Sequence, residues 1–353
     1  MSSMQALIMP ETNKTDVVEK PIPEPGPNDV IVKTTHALIC TSDVHTVKGA
    51  LPVEPGVTLG HEALGTVHAI GSAVEGFAVG QRVAVNAVTP CWHCRYCQSG
   101  YSSQCQGPLG GYQYTAQRDG NMSEYFIVPQ AMANLAPIPE SLSSEAAIYA
   151  CDMLSTGFMG AEHCYLRLGD SAAVFAQGAV GLSATIGLSL LGAARIFAVE
   201  SIPARQELAR TYGATDIIDF SAGDPVEQIL EATGGEGVDA AIEALGAPQT
   251  WEAAIRVTKA GGRTSNVGYH GEDPEPLQVP LDAFGLGMAD KSIHSGLCPG
   301  GNDRMQRIFA LLQTGRFDPT LMTTHTFSFD EVERAFWIMA NKEEGVIKPL
   351  ITF

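Results

Sequence analysis

The segment between residues 36 and 62 concentrates side chains that bind metals and carry protons. These side chains are Cys40, Ser42, Asp43, His45, His61 and Glu62. Zinc favours thiolate and imidazole ligands, and a catalytic zinc site keeps one position open for water or substrate. Cys40 and His61 therefore predict a catalytic metal centre that needs at least one more protein ligand from another part of the chain.

A second group of potential zinc ligands lies in the run CWHCRYCQSGYSSQC. Its thiols are Cys91, Cys94, Cys97 and Cys105. Four thiolates fill a tetrahedral zinc shell and leave no open position, which predicts a structural zinc. His93 lies inside the run, and we expect it to be exposed because the thiols already complete the shell. The two groups together predict two zinc ions per chain.

The run SLSSEAAIYACD offers candidates for the missing catalytic ligand. Ser141 or Ser143 can cap an apolar helical segment that ends near Cys151 and Asp152. A thiolate is the softer ligand and a carboxylate the harder one, and zinc accepts both. The residue types alone therefore leave Cys151 and Asp152 as alternatives.

A dinucleotide-binding pattern begins at Ser171, where apolar runs typical of buried strands start to alternate with helical runs. This alternation predicts a doubly wound parallel sheet. The first strand-to-helix turn reads AQGAVG, a variant of the G-x-G-x-x-G fingerprint in which Ala176 replaces the first glycine. Glu200 ends the next strand, where an acidic residue can bind ribose hydroxyls. The turn residues expected to face a cofactor pyrophosphate are Gly178, Ala179, Val180 and Gly181.

Length and charge restrict the classes of protein to which this chain can belong. Its 353 residues exceed the roughly 250–300 at which a single core stops growing, so two domains are expected. A formal charge of −18 argues against nucleic acid or an anionic membrane surface as a partner. No segment approaches the ~18 uninterrupted apolar residues of a membrane span, and the N-terminus lacks a signal-peptide pattern. We therefore expect a cytoplasmic protein, and the clustered cysteines favour metal binding in a reducing compartment.

The segments on either side of the alternating region are expected to form one domain. Before the cysteine run, short β-branched stretches alternate with turn residues, which predicts a small barrel carrying the metal-binding loop. QALIM and DVIVKT are its first two predicted strands, separated by PIPEPGPND. After residue 296, helix and strand patterns return in DRMQRIFALLQTG, FDEVERAFWIMANK and IKPLITF. The C-terminal segment is therefore predicted to complete the N-terminal domain.

The order of these motifs resembles the zinc-dependent medium-chain alcohol dehydrogenases over essentially the whole chain. CTSDVH, LGHE, the four-cysteine run, DMLSTG, the glycine turn and IKP carry the resemblance, and GLCPGG is similar to microbial secondary alcohol dehydrogenases. The resemblance implies an α/β fold with a GroES-like β-barrel catalytic domain at residues 1–155 and 297–353 and a Rossmann domain at residues 156–296. It also implies a homotetramer that interconverts small secondary alcohols and ketones with a nicotinamide cofactor.

The resemblance assigns the metal ligands. It implies that Cys40, His61 and Asp152 bind the catalytic zinc, which selects Asp152 over Cys151. Glu62 would be either an occasional ligand or a residue that contacts the ligands without binding the zinc. Asp43 would orient the His61 ring through a hydrogen bond, as carboxylates commonly do for ligating histidines.

The resemblance also assigns substrate contacts. Ser42 would contact the substrate oxygen, and His45 would receive its proton by way of the cofactor ribose. Lys348 would either reach the cofactor phosphates or lie on the surface. The pocket walls that the resemblance implies are Ala87, Tyr112, Tyr269, Leu297 and Cys298.

One sequence difference bears on the choice of cofactor. The NADP-dependent secondary alcohol dehydrogenases show Gly-Ser-Arg after the second strand, whereas this chain reads Glu200-Ser201-Ile202. A carboxylate accepts hydrogen bonds from the ribose hydroxyls of NAD and repels the 2′-phosphate of NADP. NAD is therefore favoured, with NADP as the alternative because Arg205 could swing toward a phosphate. Polyol, threonine and formaldehyde dehydrogenases remain alternatives, since substrate choice depends on a few pocket residues.

Overall fold

The computed structural model describes residues 2–108, 110–271 and 276–353 and divides into two compact units. Unit 1 comprises Met1–Ser155 and Cys298–Phe353, and unit 2 comprises Thr156–Leu297. The second boundary lies one residue later than the sequence predicted. Leu297 therefore belongs to unit 2 and not to the returning C-terminal segment.

The helices and strands are numbered in chain order. Those of unit 1 before the first boundary are β1 (Ser3–Ile8), β2 (Asp16–Pro21), β3 (Val30–Leu38), α1 (Thr41–Val47), β4 (Glu62–Ile70), β5 (Arg82–Val85), α2 (Arg95–Gln98), β6 (Tyr125–Val128), α3 (Ala131–Asn134), β7 (Leu135–Pro137) and α4 (Ser144–Ala147). The boundary falls within α5 (Met153–Glu162). Those of unit 2 are β8 (Ser171–Phe175), α6 (Ala179–Leu190), β9 (Arg195–Val199), α7 (Pro203–Thr211), β10 (Asp216–Ile218), α8 (Pro225–Ala232), β11 (Val238–Glu243), α9 (Pro248–Val257), β12 (Thr258–Asn266) and β13 (Ser292–Ser295). Unit 1 then resumes with α10 (Asn302–Gln313), β14 (Thr323–Ser328), α11 (Val332–Asn341) and β15 (Lys348–Thr352).

Unit 1 is built on a mixed sheet with the strand order β14-β15-β3-β4-β5-β7, and β6 also pairs with β3. The C-terminal strand β15 pairs antiparallel with β3, so the returning segment completes this sheet. The predicted strands β1 and β3 are present. Strand β2, which pairs antiparallel with β1, was not predicted, because half of its sequence DVVEKP is charged and none of its residues is fully buried.

The two faces of the unit 1 sheet have different roles. Successive side chains of a strand point to opposite faces. Ala37, Ala63 and Val85 point into the hydrophobic core of unit 1. On β3 and β4 the alternate positions Leu38 and Glu62 are paired in register, and they lie on the opposite face. That second face carries the candidate metal ligands.

Short helices position two of those ligands. Cys40 is the residue at which α1 begins, and the Asp43 carboxylate accepts its backbone N–H at 3.0 Å. The predicted metal-binding loop is thus partly helical. Ser143 caps α4 by accepting the Ala146 N–H at 3.2 Å, which confirms one of the two predicted capping serines. Asp152 follows in the turn that precedes α5.

Unit 2 contains the predicted doubly wound parallel sheet. Its strand order is β10-β9-β8-β11-β12-β13, and every neighbouring pair is parallel. The strand sequences SAAVF and RIFAV are buried almost throughout, as expected for strands covered on both faces. The order places β8 and β11 at the sheet centre, where such sheets bind dinucleotides at the carboxyl ends of the strands.

The turn between β8 and α6 has the geometry of a dinucleotide fingerprint. Ala176, which replaces the first glycine, adopts the left-handed conformation with φ of 72°. A Cβ on Gly181 would lie 1.9 Å from the Ala176 carbonyl oxygen, so only glycine allows the helix to approach the strand this closely. A Cβ on Gly178 would meet no atom within 4 Å, which leaves open space above the turn.

In the described part of the chain, no helix combines the length and the apolar character needed to cross a membrane.

Candidate active site and metal centres

Four potential metal ligands converge on the second face of the unit 1 sheet. Their donor atoms all lie within 4.8 Å of one another, and all four side chains are buried. The start of α1, the start of β4 and the turn before α5 supply them. These residues are Cys40, His61, Glu62 and Asp152.

Asp43 organises this group through three hydrogen bonds. Its carboxylate accepts the backbone N–H groups of Cys40 and Gly60, each at 3.0 Å, and lies 3.2 Å from Nδ1 of His61. Burial opposes the charged form of Asp43, but His61 and these backbone N–H groups outweigh it and lower the pKa of the carboxyl. An ionised Asp43 holds Nδ1 and leaves Nε2 as the atom for a metal.

His61 is fixed from two further directions. Gly60 adopts φ of 90°, and a side chain there would lie 2.8 Å from Met122, so the turn before His61 requires glycine. The Tyr112 hydroxyl lies 3.3 Å from Nδ1 of His61, and the two rings meet edge to face at 5.2 Å. Burial raises the pKa of Tyr112, so its hydroxyl stays protonated.

The chemistry of the donor atoms fits a divalent metal ion. Within the described residues, Nε2 of His61 and Oε2 of Glu62 are buried and have no hydrogen-bond partner. Nε2 lies 3.5 Å from the Asp152 carboxylate, beyond the usual hydrogen-bond length. Buried polar atoms without partners are costly, and a thiolate, an imidazole and a carboxylate are ligands that zinc accepts.

Lys348 occupies a different place from the one predicted. It is 1% exposed, and its Nζ donates to the Glu62 carboxylate and, at 3.0 Å, to the Ile39 carbonyl oxygen. The prediction that it lies on the surface is therefore wrong, and its binding to cofactor phosphates remains a prediction. Burial of an unpaired ammonium is unfavourable, so Lys348 pairs with the nearest buried carboxylate.

The geometry separates the two alternatives for the third ligand. Cys151 is fully buried, and its thiol donates to the Ala63 carbonyl oxygen at 3.5 Å. It lies outside the donor group, whereas Asp152 lies within it. The structure thus groups the carboxylate, and not the thiol, with Cys40 and His61.

The second candidate metal centre consists of the four clustered cysteines, whose sulfur atoms lie within 4.8 Å of one another. All four are free thiols. Backbone N–H groups of Cys91, Cys94 and Gln106 each donate to a cysteine sulfur at 3.4 Å. Hydrogen bonds from backbone N–H groups lower the pKa of Cys94 to about 6, whereas burial raises that of Cys105 to about 12. His93 is exposed, as predicted, and its Nδ1 lies 2.8 Å from the Cys91 carbonyl oxygen.

In unit 2, Glu200 is held rigidly at the carboxyl end of β9. Its carboxylate accepts the backbone N–H groups of Ser201 at 2.8 Å, Ile202 at 3.0 Å and Gln177 at 3.3 Å. The guanidinium of Arg205 lies 3.8 Å away. Glu200 is only 5% exposed, and the hydrogen bond from Gln177 ties its carboxylate to the dinucleotide turn.

Comparison with known proteins identifies the family. The sequence profile described as "Alcohol dehydrogenase GroES-like domain" matches residues 26–140, and that described as "Zinc-binding dehydrogenase" matches residues 179–314. An alcohol dehydrogenase of Cupriavidus necator is 41% identical over 98% of this chain and 97% of its own length. The chain belongs to the zinc-dependent medium-chain alcohol dehydrogenases.

Other relatives of this dehydrogenase support the assignment. An NADP-dependent isopropanol dehydrogenase of Thermoanaerobacter brockii is 43% identical, with 99% of both chains covered. The solved structure of alcohol dehydrogenase TADH from Thermus sp. ATN1 has a TM-score of 0.89 at 33% identity, again with 99% of both chains covered. The predicted α/β fold, with a GroES-like catalytic domain and a Rossmann domain, is thereby confirmed.

The residues predicted to handle the substrate proton lie on one short helix of the dehydrogenase. Ser42 and His45 are three positions apart on α1, so their side chains share one face. Oγ of Ser42 lies 3.5 Å from the Cys40 sulfur, which places the hydroxyl beside the metal ligands. Both side chains are partly exposed.

The predicted pocket residues divide between the two units. Ala87 and Cys298 are 2% exposed in unit 1, where Tyr112 contacts His61. Tyr269 and Leu297 are half-buried in unit 2. The pocket they were predicted to form remains a prediction.

The sequence did not reveal the roles of Tyr112 and Lys348 as partners of His61 and Glu62. For Lys348 a signal existed, because a single lysine in the apolar strand IKPLITF indicates a buried partner. For Tyr112 no such signal is present, since it lies in a glycine-rich loop.

Proposed function

We propose that this dehydrogenase interconverts small secondary alcohols and ketones, with a catalytic zinc bound by Cys40, His61 and Asp152. The main supporting observation is the buried group of donor atoms that lie within 4.8 Å of one another. In this group, Nε2 of His61 has no hydrogen-bond partner among the described residues. Glu62 is the alternative fourth ligand, because its Oε1 is bound by Lys348 whereas its Oε2 has no hydrogen-bond partner among the described residues. The names of several relatives, isopropanol dehydrogenases, support a secondary alcohol as substrate.

The proposed mechanism assigns one task to each side chain. Zinc, when bound, supplies a Lewis acid that polarises the substrate oxygen. Ser42, beside Cys40, orients the substrate hydroxyl and accepts its proton. His45, one turn further along α1, would receive that proton and pass it to solvent. A bound nicotinamide cofactor would supply the hydride chemistry at the substrate carbon.

We propose NAD as the preferred cofactor, although three relatives with 39–43% identity are named as NADP-dependent. The supporting observation is Glu200, which is buried and held by three backbone N–H groups. A fixed carboxylate at this position would pair with the ribose hydroxyls of NAD. The same carboxylate would repel the additional phosphate of NADP.

The cofactor proposal predicts the effect of a double substitution. Glu200→Gly with Ile202→Arg removes the carboxylate and adds a cation, so we expect the NAD-to-NADP ratio of kcat/KM to fall on the order of a hundredfold, because like-charge contacts cost several kcal/mol. Steady-state kinetics with both cofactors measures the ratio. Glu236→Gly, at an exposed loop position of unit 2, is the control and leaves the ratio unchanged. A wild-type enzyme that prefers NADP would refute the proposal.

The metal proposal predicts two zinc ions per chain, one in each donor group. Asp152→Ala removes a ligand of the catalytic site, so we expect one zinc per chain and loss of alcohol oxidation. Elemental analysis and an assay with 2-propanol measure both quantities. Asp303→Ala, an exposed carboxylate on α10, is the control and retains both ions. Ketone reduction retained by Asp152→Ala would contradict the ligand set.

Assays of the same purified wild-type enzyme distinguish the remaining alternatives for its substrate class and its oligomeric state. A panel of secondary alcohols, polyols, threonine and a formaldehyde adduct separates the substrate classes. Light scattering tests the homotetramer that we propose from the family resemblance.

A further inference from the structure

A fully buried carboxylate lies at the carboxyl end of β11, the strand next to β8 at the centre of the unit 2 sheet. It belongs to Glu243, which is 0% exposed and pairs in register with Phe175, the last residue of β8. On its other side it pairs with Asn266, the last residue of β12. Burial of a charged group is costly, and Glu243 takes no part in the proposed mechanism.

The contacts of one oxygen of this carboxylate are those of an ionised group. Oε1 accepts the backbone N–H groups of Leu245 at 2.9 Å and Gly246 at 2.8 Å, and the Thr250 hydroxyl at 2.7 Å. Donors that converge on one carboxylate oxygen form charge-assisted hydrogen bonds with the anion. Oε2 has no hydrogen-bond partner among the described residues. Glu243 therefore carries a buried negative charge.

The imidazole of His270 lies beside this charge without balancing it. Its Nε2 lies 3.4 Å from Oε2 of Glu243 and 2.9 Å from Oδ1 of Asn266. Nδ2 of Asn266 donates to the Gly268 carbonyl oxygen at 3.2 Å, which identifies Oδ1 as an acceptor and places the imidazole proton on Nε2. Nδ1 is buried and, in the described part of the chain, has no acceptor for a second proton. These contacts favour the neutral ring.

The sheet topology places the Glu243 charge near the nicotinamide half of a bound dinucleotide. Glu200, which we propose binds a ribose, follows β9, and the turn for the pyrophosphate follows β8. A dinucleotide that crosses from β9 over β8 continues toward β11 and β12, the next strands in the sheet. Because neighbouring strands are about 4.8 Å apart, the carboxyl end of β11 lies within roughly 10 Å of a ring bound there.

We propose that Glu243 is a specificity-determining residue that favours the oxidised form of the nicotinamide cofactor over the reduced form. This inference rests on the proposed function. The oxidised nicotinamide ring carries one positive charge, which is lost when the ring accepts a hydride, so a fixed anion nearby attracts the oxidised form alone. Two unit charges about 10 Å apart in a protein interact strongly enough to change an affinity on the order of tenfold.

The test compares the dissociation constants of the two cofactor forms with the zinc-loaded enzyme. Measurements at pH 8 lie above the range in which histidine side chains ordinarily gain a proton. Glu243→Gln removes the charge and keeps an acceptor oxygen, so we expect the Kd of NAD⁺ to rise on the order of tenfold while that of NADH changes by less than about threefold. Calorimetry measures the first Kd and fluorescence the second. NADP⁺ and NADPH should show the same change in ratio, which makes the test independent of the cofactor preference.

A second variant neutralises the charge and leaves the carboxylate in place. His270→Lys adds an ammonium group beside Oε2 of Glu243 and preserves the hydrogen bonds to Oε1. We expect the ratio of the two Kd values to change in the same direction as in Glu243→Gln, so the test does not depend on the folding of one variant.

Two controls distinguish a charge effect from a structural one. Glu252→Gln makes the same chemical change on α9, where the side chain is 43% exposed and pairs with Arg256, and should leave the Kd ratio unchanged. ADP-ribose lacks the nicotinamide ring, so its Kd should be similar for the wild type and all three variants.

The outcomes separate this inference from the proposed function. Equal changes for both cofactor forms, or a parallel loss of ADP-ribose binding, would show that Glu243 only supports the loops around it and would overturn the inference. An unchanged ratio in both Glu243→Gln and His270→Lys, or an equal shift in Glu252→Gln, would also overturn it. In these cases the wild-type enzyme still binds its cofactor, and the proposed function stands. A wild-type enzyme that binds no nicotinamide cofactor would reject the proposed function and the inference together.

Discussion

The candidate zinc site of this dehydrogenase depends on buried charges that compensate one another. Lys348 is paired with Glu62 at a position almost completely removed from water. Burial alone would lower the pKa of Lys348, but the negative charges of Cys40 and Glu62 outweigh it and raise that pKa. The lysine is therefore charged at neutral pH and compensates the negative charge of the buried Glu62 carboxylate.

This pairing predicts a large effect of a single substitution. Lys348→Met keeps most of the side-chain volume but leaves the Glu62 charge without a partner. We expect the free energy of unfolding to fall by about 3–5 kcal/mol, the usual cost of breaking a buried ion pair on one side. Urea unfolding of the zinc-loaded enzyme measures this change.

A surface pair provides the comparison for Lys348. Lys259 forms an ion pair with Asp239 at 2.6 Å, but its side chain is 39% exposed. Lys259→Met should therefore cost no more than about 1 kcal/mol. Similar losses for the two variants would show that the Lys348 pair is not buried in solution.

At the scale of helices and strands, the sequence predicted local patterns and missed pairings between distant segments. The alternation of strand and helix patterns after Ser171 was sufficient to predict the parallel sheet. Each strand and each helix has its own hydrophobic periodicity, which can be recognised locally in the sequence. The four-cysteine group was predicted from spacing alone. Strand β2 was missed because half of its residues are charged and none is fully buried, and its existence depends on pairing with β1.

The candidate site shows the same limit. Cys40 and His61 were recognisable as ligands by residue type, whereas residue types left Cys151 and Asp152 open until the family resemblance was considered. The Lys348 contact joins residues 286 positions apart. The pairing of Leu38 with Glu62 follows from strand register, which local sequence does not specify.

The ion pair between strands β9 and β10 predicts how the stability of the unit 2 sheet depends on pH. Arg195, at the start of β9, donates to both carboxylate oxygens of Asp216 at the start of β10, at 3.1 and 2.7 Å. The hydrogen bonds from Arg195 are the main cause of a lowered pKa for the Asp216 carboxyl. A lowered pKa means that this stabilisation is present above the ordinary aspartate pKa of about 4 and is lost as pH falls through the lowered value.

Asp216→Asn should therefore destabilise the protein at pH 7 by about 0.5–1 kcal/mol, a small value because Arg195 is 41% exposed and solvent screens the pair. The difference from the wild type should disappear in acid, as pH falls through the lowered pKa of Asp216. Urea unfolding at the two pH values measures it. Asp303→Asn, which breaks a fully exposed pair with Arg307, is the control and should show almost no change at either pH. A difference that grows in acid would contradict the assigned sign.

At the scale of the whole molecule, the two candidate metal sites and the candidate cofactor site belong to different units. Both donor groups lie in unit 1, and the second is formed by a loop segment between β5 and β6 that has little regular structure of its own. The dinucleotide turn and Glu200 lie in unit 2. Metal binding contributes folding free energy to the segments that hold the ligands, because the unfolded chain does not preform the sites.

Removal of zinc should therefore loosen one unit and spare the other. After treatment with a strong chelator, we expect backbone amides of residues 91–105 and of α1 to exchange hydrogen about tenfold faster or more, while β8, β9 and α6 keep their protection. Hydrogen exchange followed by mass spectrometry measures both groups in one sample. Restoring zinc should restore protection, and cofactor titration by fluorescence should show that unit 2 still binds NADH in the metal-free protein. Equal loss of protection across units 1 and 2 would mean that zinc stabilises the chain as one cooperative body, contrary to the separate cores that the structure shows.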